Sequence, residues 1–412
     1  MPDATVGGGP AAATAELTRL DAVVIGGAGH VGLPLAIALA DRGAQVGIYD
    51  VSEAAVKLVN DGALPFDEPN ALDPLRRAIA AGRLVASTDQ TIVARAEVVV
   101  VVIGTPVDEH LNPDPSAIPR VVRACADQLR DGQLLVLRST VYPGVTELVA
   151  QLLDELGLKV DVAFCPERIA EGKAMVELFS LPQIVAATDP RVRERAGAFF
   201  RRLTDDIVEL EPQEAELAKL FTNVWRYIKF AAVNQFYMIA NSRGLDFERI
   251  REGLTHNYPR AADMPGPGFA AGPCLLKDTM QLAAFNDNNF NLGHAAMLVN
   301  EGLPLYLVRR LEERFPLSTM TVGILGMAFK AESDDVRSSL SYKLRRILEF
   351  RAKNVLCTDP YVTGHGPLVP LEQVLAEADV LIIGAPHAQY RDLVTDKPVA
   401  DVWNILDAGV RV

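Results

Sequence analysis

Cys274 stands in the run Gly272-Pro273-Cys274-Leu275-Leu276-Lys277-Asp278, a thiol followed closely by a lysine and a carboxylate. A cysteine in such company can make and break a thioester, a covalent route for chemistry at a carbonyl carbon. The thiolate is the reactive form. With an ordinary pKa of about 8.5, only a few per cent of a thiol is ionised at neutral pH unless a cation or a helix N-terminus helps. Lys277 is the helper at hand. The competing reading is a small hydrophobe buried in a turn, and the rest of the chain has to decide between them.

A second group of residues points to a dinucleotide. The apolar run Ala22-Val23-Val24-Ile25 leads into Gly27-Ala28-Gly29-His30-Val31-Gly32, and a helical pattern follows from Leu33 to Arg42. Gly27 suits the tight turn, Gly29 lets backbone approach a pyrophosphate, and Gly32 lets the helix pack on the strand, with the helix N-terminus facing the phosphate charge. A further strand, Gln45 to Tyr49, ends at Asp50, the spacing at which a carboxylate binds the adenosine ribose hydroxyls. An acid there repels a 2′-phosphate, so the expected cofactor is NAD rather than NADP.

Three strand ends carry polar residues: Gly104-Thr105-Pro106, Arg138-Ser139-Thr140 and Cys165-Pro166-Glu167-Arg168. In an open α/β sheet, ligands sit at such carboxyl edges. Thr105 and Thr140 are either cofactor or water ligands or ordinary turn residues. Glu167 is either a general base or a solvated loop charge. On a later helix Glu216, Lys219 and Asn223 share one face by their spacing of three and four. If that face points at Cys274, Lys219 and Asn223 supply a cation and an amide donor for an oxyanion; otherwise it is a plain surface helix. Near the end, Phe329-Lys330 and Asp334-Asp335-Val336-Arg337 follow a glycine turn, where cations meet phosphates or a helix simply begins.

The elements that must position these groups follow from periodicity. Strands are expected at Glu97–Ile103, Gln133–Leu137, Val160–Phe164 and Ile184–Ala187, alternating with helices, which describes a parallel, helix-covered sheet. A long helix runs from Ala215 to Ser242, a loop rich in proline and glycine from Thr255 to Pro273, and a second α/β unit opens at Thr321, continuing through Asn354–Cys357, Val380–Ile383 and Val399–Trp403. With 412 residues, two or three domains are expected. The fold class is α/β: two Rossmann-like doubly wound domains joined by a helical middle domain with a long central helix. The boundaries are a disordered tail over 1–18, a cofactor domain over 19–210, a helical middle over 211–305 and a final α/β domain over 306–412.

A formal net charge of −13 argues against nucleic acid and anionic membrane surfaces as partners. The four cysteines, Cys125, Cys165, Cys274 and Cys357, are scattered without metal-ligand spacing, so no metal is expected and a reduced, cytoplasmic chain is. The tail lacks the charge and apolar pattern of a signal peptide, and no apolar run reaches membrane-spanning length.

Taken in order, the glycine turn, Gly104-Thr105-Pro106, Ser139-Thr140-Val141, Pro166-Glu167-Arg168, Ala215-Glu216-Leu217-Ala218-Lys219 with Asn223, Cys274 with Lys277-Asp278, and Gly326-Met327-Ala328-Phe329-Lys330 resemble the UDP-glucose/GDP-mannose dehydrogenase family from about Asp21 onward. The resemblance implies oxidation of the C6 alcohol of a UDP-sugar to a uronic acid with two NAD. It assigns catalysis to Cys274, Lys219, Asn223, Asp278, Glu167 and Thr105. Cofactor contacts fall to Gly27, Gly29, His30, Val31, Gly32, Asp50, Thr105, Thr140, Glu171 and Arg337. Substrate contacts fall to Glu167, Arg168, Ile169, Lys219, Asn223, Arg260, Gly268 and Lys330, with Arg260 reaching into a neighbouring subunit, so that a homodimer or higher homo-oligomer is implied. The family's paired glycines before the cysteine are replaced here by Phe269-Ala270-Ala271-Gly272-Pro273. Two features resemble the UDP-N-acetylhexosamine branch (N-acetylmannosamine or N-acetylglucosamine): Pro265-Gly266-Pro267-Gly268 and Pro166-Glu167-Arg168. Lys277-Asp278-Thr279 resembles the UDP-glucose branch. The rivals are a two-electron hydroxy-acid dehydrogenase, which has no use for Cys274, and a catalytically silent nucleotide-sugar binder.

Overall fold

The computed structural model describes residues 19–105, 107–108 and 112–407; the expected tail over 1–18 and Pro106 lie outside them. The chain forms two compact units. The first comprises residues up to Ile103 together with 118–139 and 146–212; the second takes 104–117, 140–145 and everything from 213 onward. The segments after two successive strands of the first unit, with Thr105 and Thr140, thus belong to the second.

The first unit is an eight-stranded sheet of β1 (Leu20–Ile25), β2 (Val46–Tyr49), β3 (Leu84–Ser87), β4 (Ala96–Val101), β5 (Leu134–Leu137), β6 (Asp161–Phe164), β7 (Gln183–Ala186) and β8 (Ile207–Leu210). Its spatial order is β3-β2-β1-β4-β5-β6-β7-β8. Strands β1 to β6 pair in parallel, whereas β7 meets β6 antiparallel through Phe164 and Ala186. The expectation of a parallel sheet therefore holds for six strands, and the last two run the other way. Both faces are covered: the helix Gly32–Asp41 has nine buried residues, and its Leu33, Leu35, Ile37 and Leu39 pack with Val24, Ile48 and Val100 into one core. Burial on every side explains why this helix reads as a continuous apolar run rather than a stripe.

In the second unit a 31-residue helix, Pro212–Ser242, buries Ala215, Glu216, Lys219, Leu220, Asn223, Val224 and Tyr227 along one side. Helices Phe247–Thr255, Leu275–Phe285 and Asn291–Glu312 follow. A parallel four-stranded sheet comes next, of β9 (Thr321–Leu325), β10 (Asn354–Thr358), β11 (Val380–Ile383) and β12 (Val399–Ala400), in the order β10-β9-β11-β12. The final strand stops at Ala400, and Trp403 sits in a turn beyond it. One apolar core joins Val233, Tyr237 and Phe247 of the middle helices with Val322, Ile324 and Ile382 of the sheet and Leu344 of the helix Leu340–Glu349 that packs on it, so the helical middle and the last α/β portion share an interior. No helix among the described residues is long and apolar enough to cross a membrane.

Candidate active site

The glycine turn after β1 is built as a phosphate cradle. A methyl on Gly32 would lie 2.7 Å from the Gly26 carbonyl oxygen and the Gly27 Cα, and one on Gly27 would lie 2.7 Å from the Val24 oxygen; both positions need glycine. Gly29 faces open space, with Gly26 O at 3.7 Å as the nearest neighbour of an added methyl. Val31 begins the helix without a side-chain cap; Leu33 N is taken by Gly29 O at 3.0 Å and Pro34 has no N–H, which leaves the Gly32 N–H at the helix start for an anion. Asp50, at the end of β2, accepts from Ala28 N through Oδ2 at 3.0 Å and from Ser52 N through Oδ1 at 3.0 Å. The sheet order reverses between β1 and β4 beside this turn, the position where open α/β sheets take their ligands. These residues fit NAD.

Around the turn, the His30 ring lies against Phe66 with centroids 4.0 Å apart, and its Nδ1 is 3.7 Å from Glu171 Oε1. The loop bearing Glu171 is fixed by a carboxylate that the sequence reading passed over. Buried Glu68 accepts from Gly172 N and Ala174 N, both at 2.9 Å.

Glu167 is buried rather than solvated. Its Oε1 accepts from Arg168 N at 2.7 Å and Ile169 N at 3.0 Å, while Oε2 binds the guanidinium of Arg138. Arg138 is itself buried, reaching Cys165 O and Gln183 Oε1 at 3.1 Å and lying over Phe200. Three donors thus fix the carboxylate, with room on Oε2 for one more. Arg168 donates to Pro182 O and Glu167, an arrangement that shapes the loop.

The cysteine cluster lies within the second unit. Cys274 caps the helix Leu275–Phe285 with its backbone in the helical region, and its side chain is exposed. Four residues on, Asp278 is fully buried. Its Oδ2 accepts from Asn223 Nδ2 at 2.5 Å, and its Oδ1 is 3.2 Å from Lys277 Nζ. That pair attracts without hydrogen-bond geometry, so Oδ1 is left wanting a donor. Lys277 Nζ also donates to the Thr105 carbonyl and hydroxyl, each at 3.2 Å, and the Thr105 hydroxyl donates to Thr140 O at 2.7 Å. On the long helix, buried Glu216 accepts from Gly144 N at 2.6 Å, one turn before buried Lys219. The surface-helix reading of Glu216, Lys219 and Asn223 therefore fails: all three face inward, and Asn223 ties the long helix to the cysteine helix.

Although solvent reaches the Cys274 thiol, the surrounding protein strips enough water from it to raise its pKa above the ordinary thiol value. The Asp278 carboxylate adds to the rise, while Lys277, Lys219 and Arg337 oppose it without reversing it. The expected help from Lys277 is present but outweighed. Arg337 contributes to this field from a loop where it pairs with Asp335, its Nε 2.9 and 2.8 Å from the two carboxylate oxygens. Nothing in its sequence surroundings links it to the cysteine. Gly272, at φ +99, needs glycine because a methyl there would lie 2.7 Å from the Phe329 ring.

The remaining assignments are more dispersed. Lys330 lies over Phe329 at 5.4 Å. Arg260 is exposed, stacked on Tyr258 at 4.7 Å and donating to its hydroxyl. The backbone N–H and carbonyl of Gly268 are both engaged by Asn234. Among the described residues no cluster of His, Cys, Asp and Glu could hold a metal ion.

In the second α/β portion, Asp359 ends β10 as Asp50 ends β2. There the carboxylate is saturated: it accepts from Met327 N, Ala328 N, Tyr361 N and Val362 N, and meets the fully buried His387 at 3.1 Å. A ribose hydroxyl has no acceptor left to claim, which distinguishes this turn from the one at Asp50.

Residues 21–204, 213–302 and 323–408 match, in order, the NAD binding, central and UDP binding domains of the UDP-glucose/GDP-mannose dehydrogenase family. The UDP-N-acetyl-D-mannosamine dehydrogenase of Pyrococcus horikoshii is 29% identical over 383 residues, 90% of each chain. That of Escherichia coli (strain K12) is 28% identical over 397 residues, 89% of this chain and 93% of its own. Among solved structures, UDP-D-ManNAc dehydrogenase from Pyrococcus horikoshii is similar with a TM-score of 0.87 at 28% identity, covering 93% of this chain and 96% of that one. A UDP-glucose dehydrogenase from Pyrobaculum islandicum is similar with a TM-score of 0.88 at 29% identity, covering 96% and 99%.

Proposed function

The chain belongs to the UDP-glucose/GDP-mannose dehydrogenase family, and from that premise we propose that it carries out a four-electron oxidation of the C6 alcohol of a UDP-N-acetylhexosamine, UDP-N-acetylmannosamine first, to the uronic acid. The observation that carries this reading is Cys274 at a helix N-terminus, beside Asp278 joined to Asn223 and Lys277. A simple alcohol dehydrogenase has no use for that thiol.

Bound NAD supplies the hydride acceptor for both oxidations. The chain's own residues do the rest. Asp278 Oδ1, short of a hydrogen-bond donor, takes the C6 hydroxyl or a water that relays its proton. Cys274 sulfur then bonds to the aldehyde carbon as the carbonyl π bond opens, and the thiol proton ends on the former carbonyl oxygen, giving a thiohemiacetal held on the enzyme. Lys219 and the Asn223 amide stabilise the oxygen as charge develops on it. Loss of a second hydride leaves a thioester. Water attacks that carbon, the C–S bond breaks, and the thiol and a carboxylate result; Glu167, with room on Oε2 for one more donor, is assigned that water, and Thr105 its support. Covalent capture keeps an aldehyde from escaping between two rounds of cofactor use.

Arg138 and Arg168 hold the Glu167 loop, Arg337 is assigned to the NAD pyrophosphate, Lys330 to the sugar nucleotide, and Arg260 to the substrate site of a neighbouring subunit. We also assign a homodimer through the long helix, where Ile228, Ala231, Ala232 and Gln235 line an apolar groove with Leu292, Ala295, Ala296 and Val299. Cytoplasmic residence follows from the reduced state that Cys274 chemistry needs.

The test offers purified enzyme NAD with UDP-N-acetylmannosamine, UDP-N-acetylglucosamine, UDP-glucose and GDP-mannose, and identifies products by mass. A uronic acid from an N-acetylhexosamine substrate is the expected product. A uronic acid from UDP-glucose alone would reassign the sugar, and aldehyde as the final product would overturn the thioester route.

A further inference from the structure

We propose that Asn234, oriented by Asn300, is a positioning residue that fixes the loop over 265–273 and thereby the reach of Cys274; this rests on the thioester reading above. Both asparagines are fully buried. Asn234 Oδ1 accepts from Gly268 N at 2.9 Å, and its Nδ2 donates to Gly268 O at 3.0 Å and to Asn300 Oδ1 at 2.9 Å. Asn300 Nδ2 in turn donates to Tyr227 O at 3.0 Å, which decides which way its amide faces. Two helices, Pro212–Ser242 and Asn291–Glu312, therefore combine to present one side-chain amide to both the N–H and the carbonyl of one residue.

The opposite side of Gly268 is closed by an indole. A methyl on Gly268 would lie 2.3 Å from the Trp403 ring, and the residue's φ of +150 already favours glycine. Trp403 is held by its Nε1 donating to Ile383 O at 3.2 Å, and it meets Phe269 edge-on at 6.0 Å. Gly268 is thus gripped between an amide and a ring.

The grip matters because the loop has no regular structure of its own. Further along, Ala271 N bonds Phe269 O and Gly272 N bonds Ser338 O at 3.4 Å. Five residues separate Gly268 from Cys274, too short a stretch to absorb a slack anchor. A displacement of about 1 Å at a reacting group can cost on the order of a hundredfold in rate. A buried amide that bonds both the N–H and the carbonyl of one residue leaves that residue little freedom to move.

The experiment compares full-length wild type with Asn234→Ala. Four quantities are read: the melting temperature, the KM for NAD, the kcat with the UDP-sugar, and the pH profile of Cys274 alkylation by iodoacetamide. The expected result is a folded protein with KM for NAD within twofold, kcat reduced tenfold or more, and an alkylation profile moved toward lower pH as the thiol leaves its crowded setting. A folded variant with kcat and alkylation profile both within twofold of wild type would overturn the proposal. Should Asn234→Ala fail to fold, Trp403→Leu opens the other side of Gly268 and is judged on the same two readouts. If wild type itself forms one NADH per sugar, the thioester reading falls, while the alkylation profiles still decide whether Asn234 places the thiol.

Discussion

At the residue scale, the arrangement around Cys274 sets a proton problem. A thiol whose pKa is raised by desolvation and by Asp278 is largely protonated at neutral pH, so attack on an aldehyde must coincide with loss of that proton or wait for a change in local charge. Lys277, Lys219 and Arg337 favour the thiolate against burial and the Asp278 charge. Replacing Asp278 by Asn keeps a partner for Asn223 and removes the negative charge. Because a neighbouring carboxylate disfavours the thiolate, its removal moves the alkylation profile of Cys274 to lower pH. Iodoacetamide labelling of the two proteins from pH 6 to 10 checks this, and a shift to higher pH in Asp278→Asn would show that another group governs the thiol. Cys274, Asp278 and Lys277 were readable from adjacency. Arg337 was not, because 62 residues separate it from the thiol in sequence, and spacing carries no information about proximity at such range.

At the element scale, the site depends on turns that end strands. The glycine turn and Asp50 were legible because a strand, a tight turn and a helix follow one another within a short stretch whose chemistry is local. The antiparallel direction of β7 was not legible, since its apolar residues alternate with helices as any parallel strand's do. Equally hidden was the saturation of Asp359. Burial pushes that carboxyl up, but His387 and the N–H groups of Ala328, Tyr361 and Met327 outweigh burial and hold it at about 2. With a folded pKa below the ordinary carboxyl value, the carboxylate contributes stability above about pH 4, and the contribution is lost as pH falls toward about 2. Urea midpoints of wild type and Asp359→Asn are therefore expected to differ at pH 5 and to converge as the pH drops through that window. A gap independent of pH would contradict it.

At the scale of the whole molecule, two compact units divide the labour, one with the cofactor cradle and one with the thiol. The helical middle reads in sequence as a domain apart, yet its core is continuous with the second sheet, where Val233, Tyr237 and Phe247 are buried in one cluster with Val322, Ile324 and Ile382. The outer side of the long helix keeps Phe221, Trp225, Phe236 and Ile239 exposed, large apolar side chains of the kind a partner surface covers. A second copy against this face predicts a dimer by sedimentation, dissociated by Ala295→Glu in the groove; a wild-type monomer at micromolar concentration would contradict the assignment.

The most direct test counts NADH formed per UDP-sugar consumed, in wild type and in Cys274→Ser. The thioester route predicts two in the wild type, with complete oxidation abolished by the substitution. One NADH per sugar, or two that persist without the thiol, would contradict it.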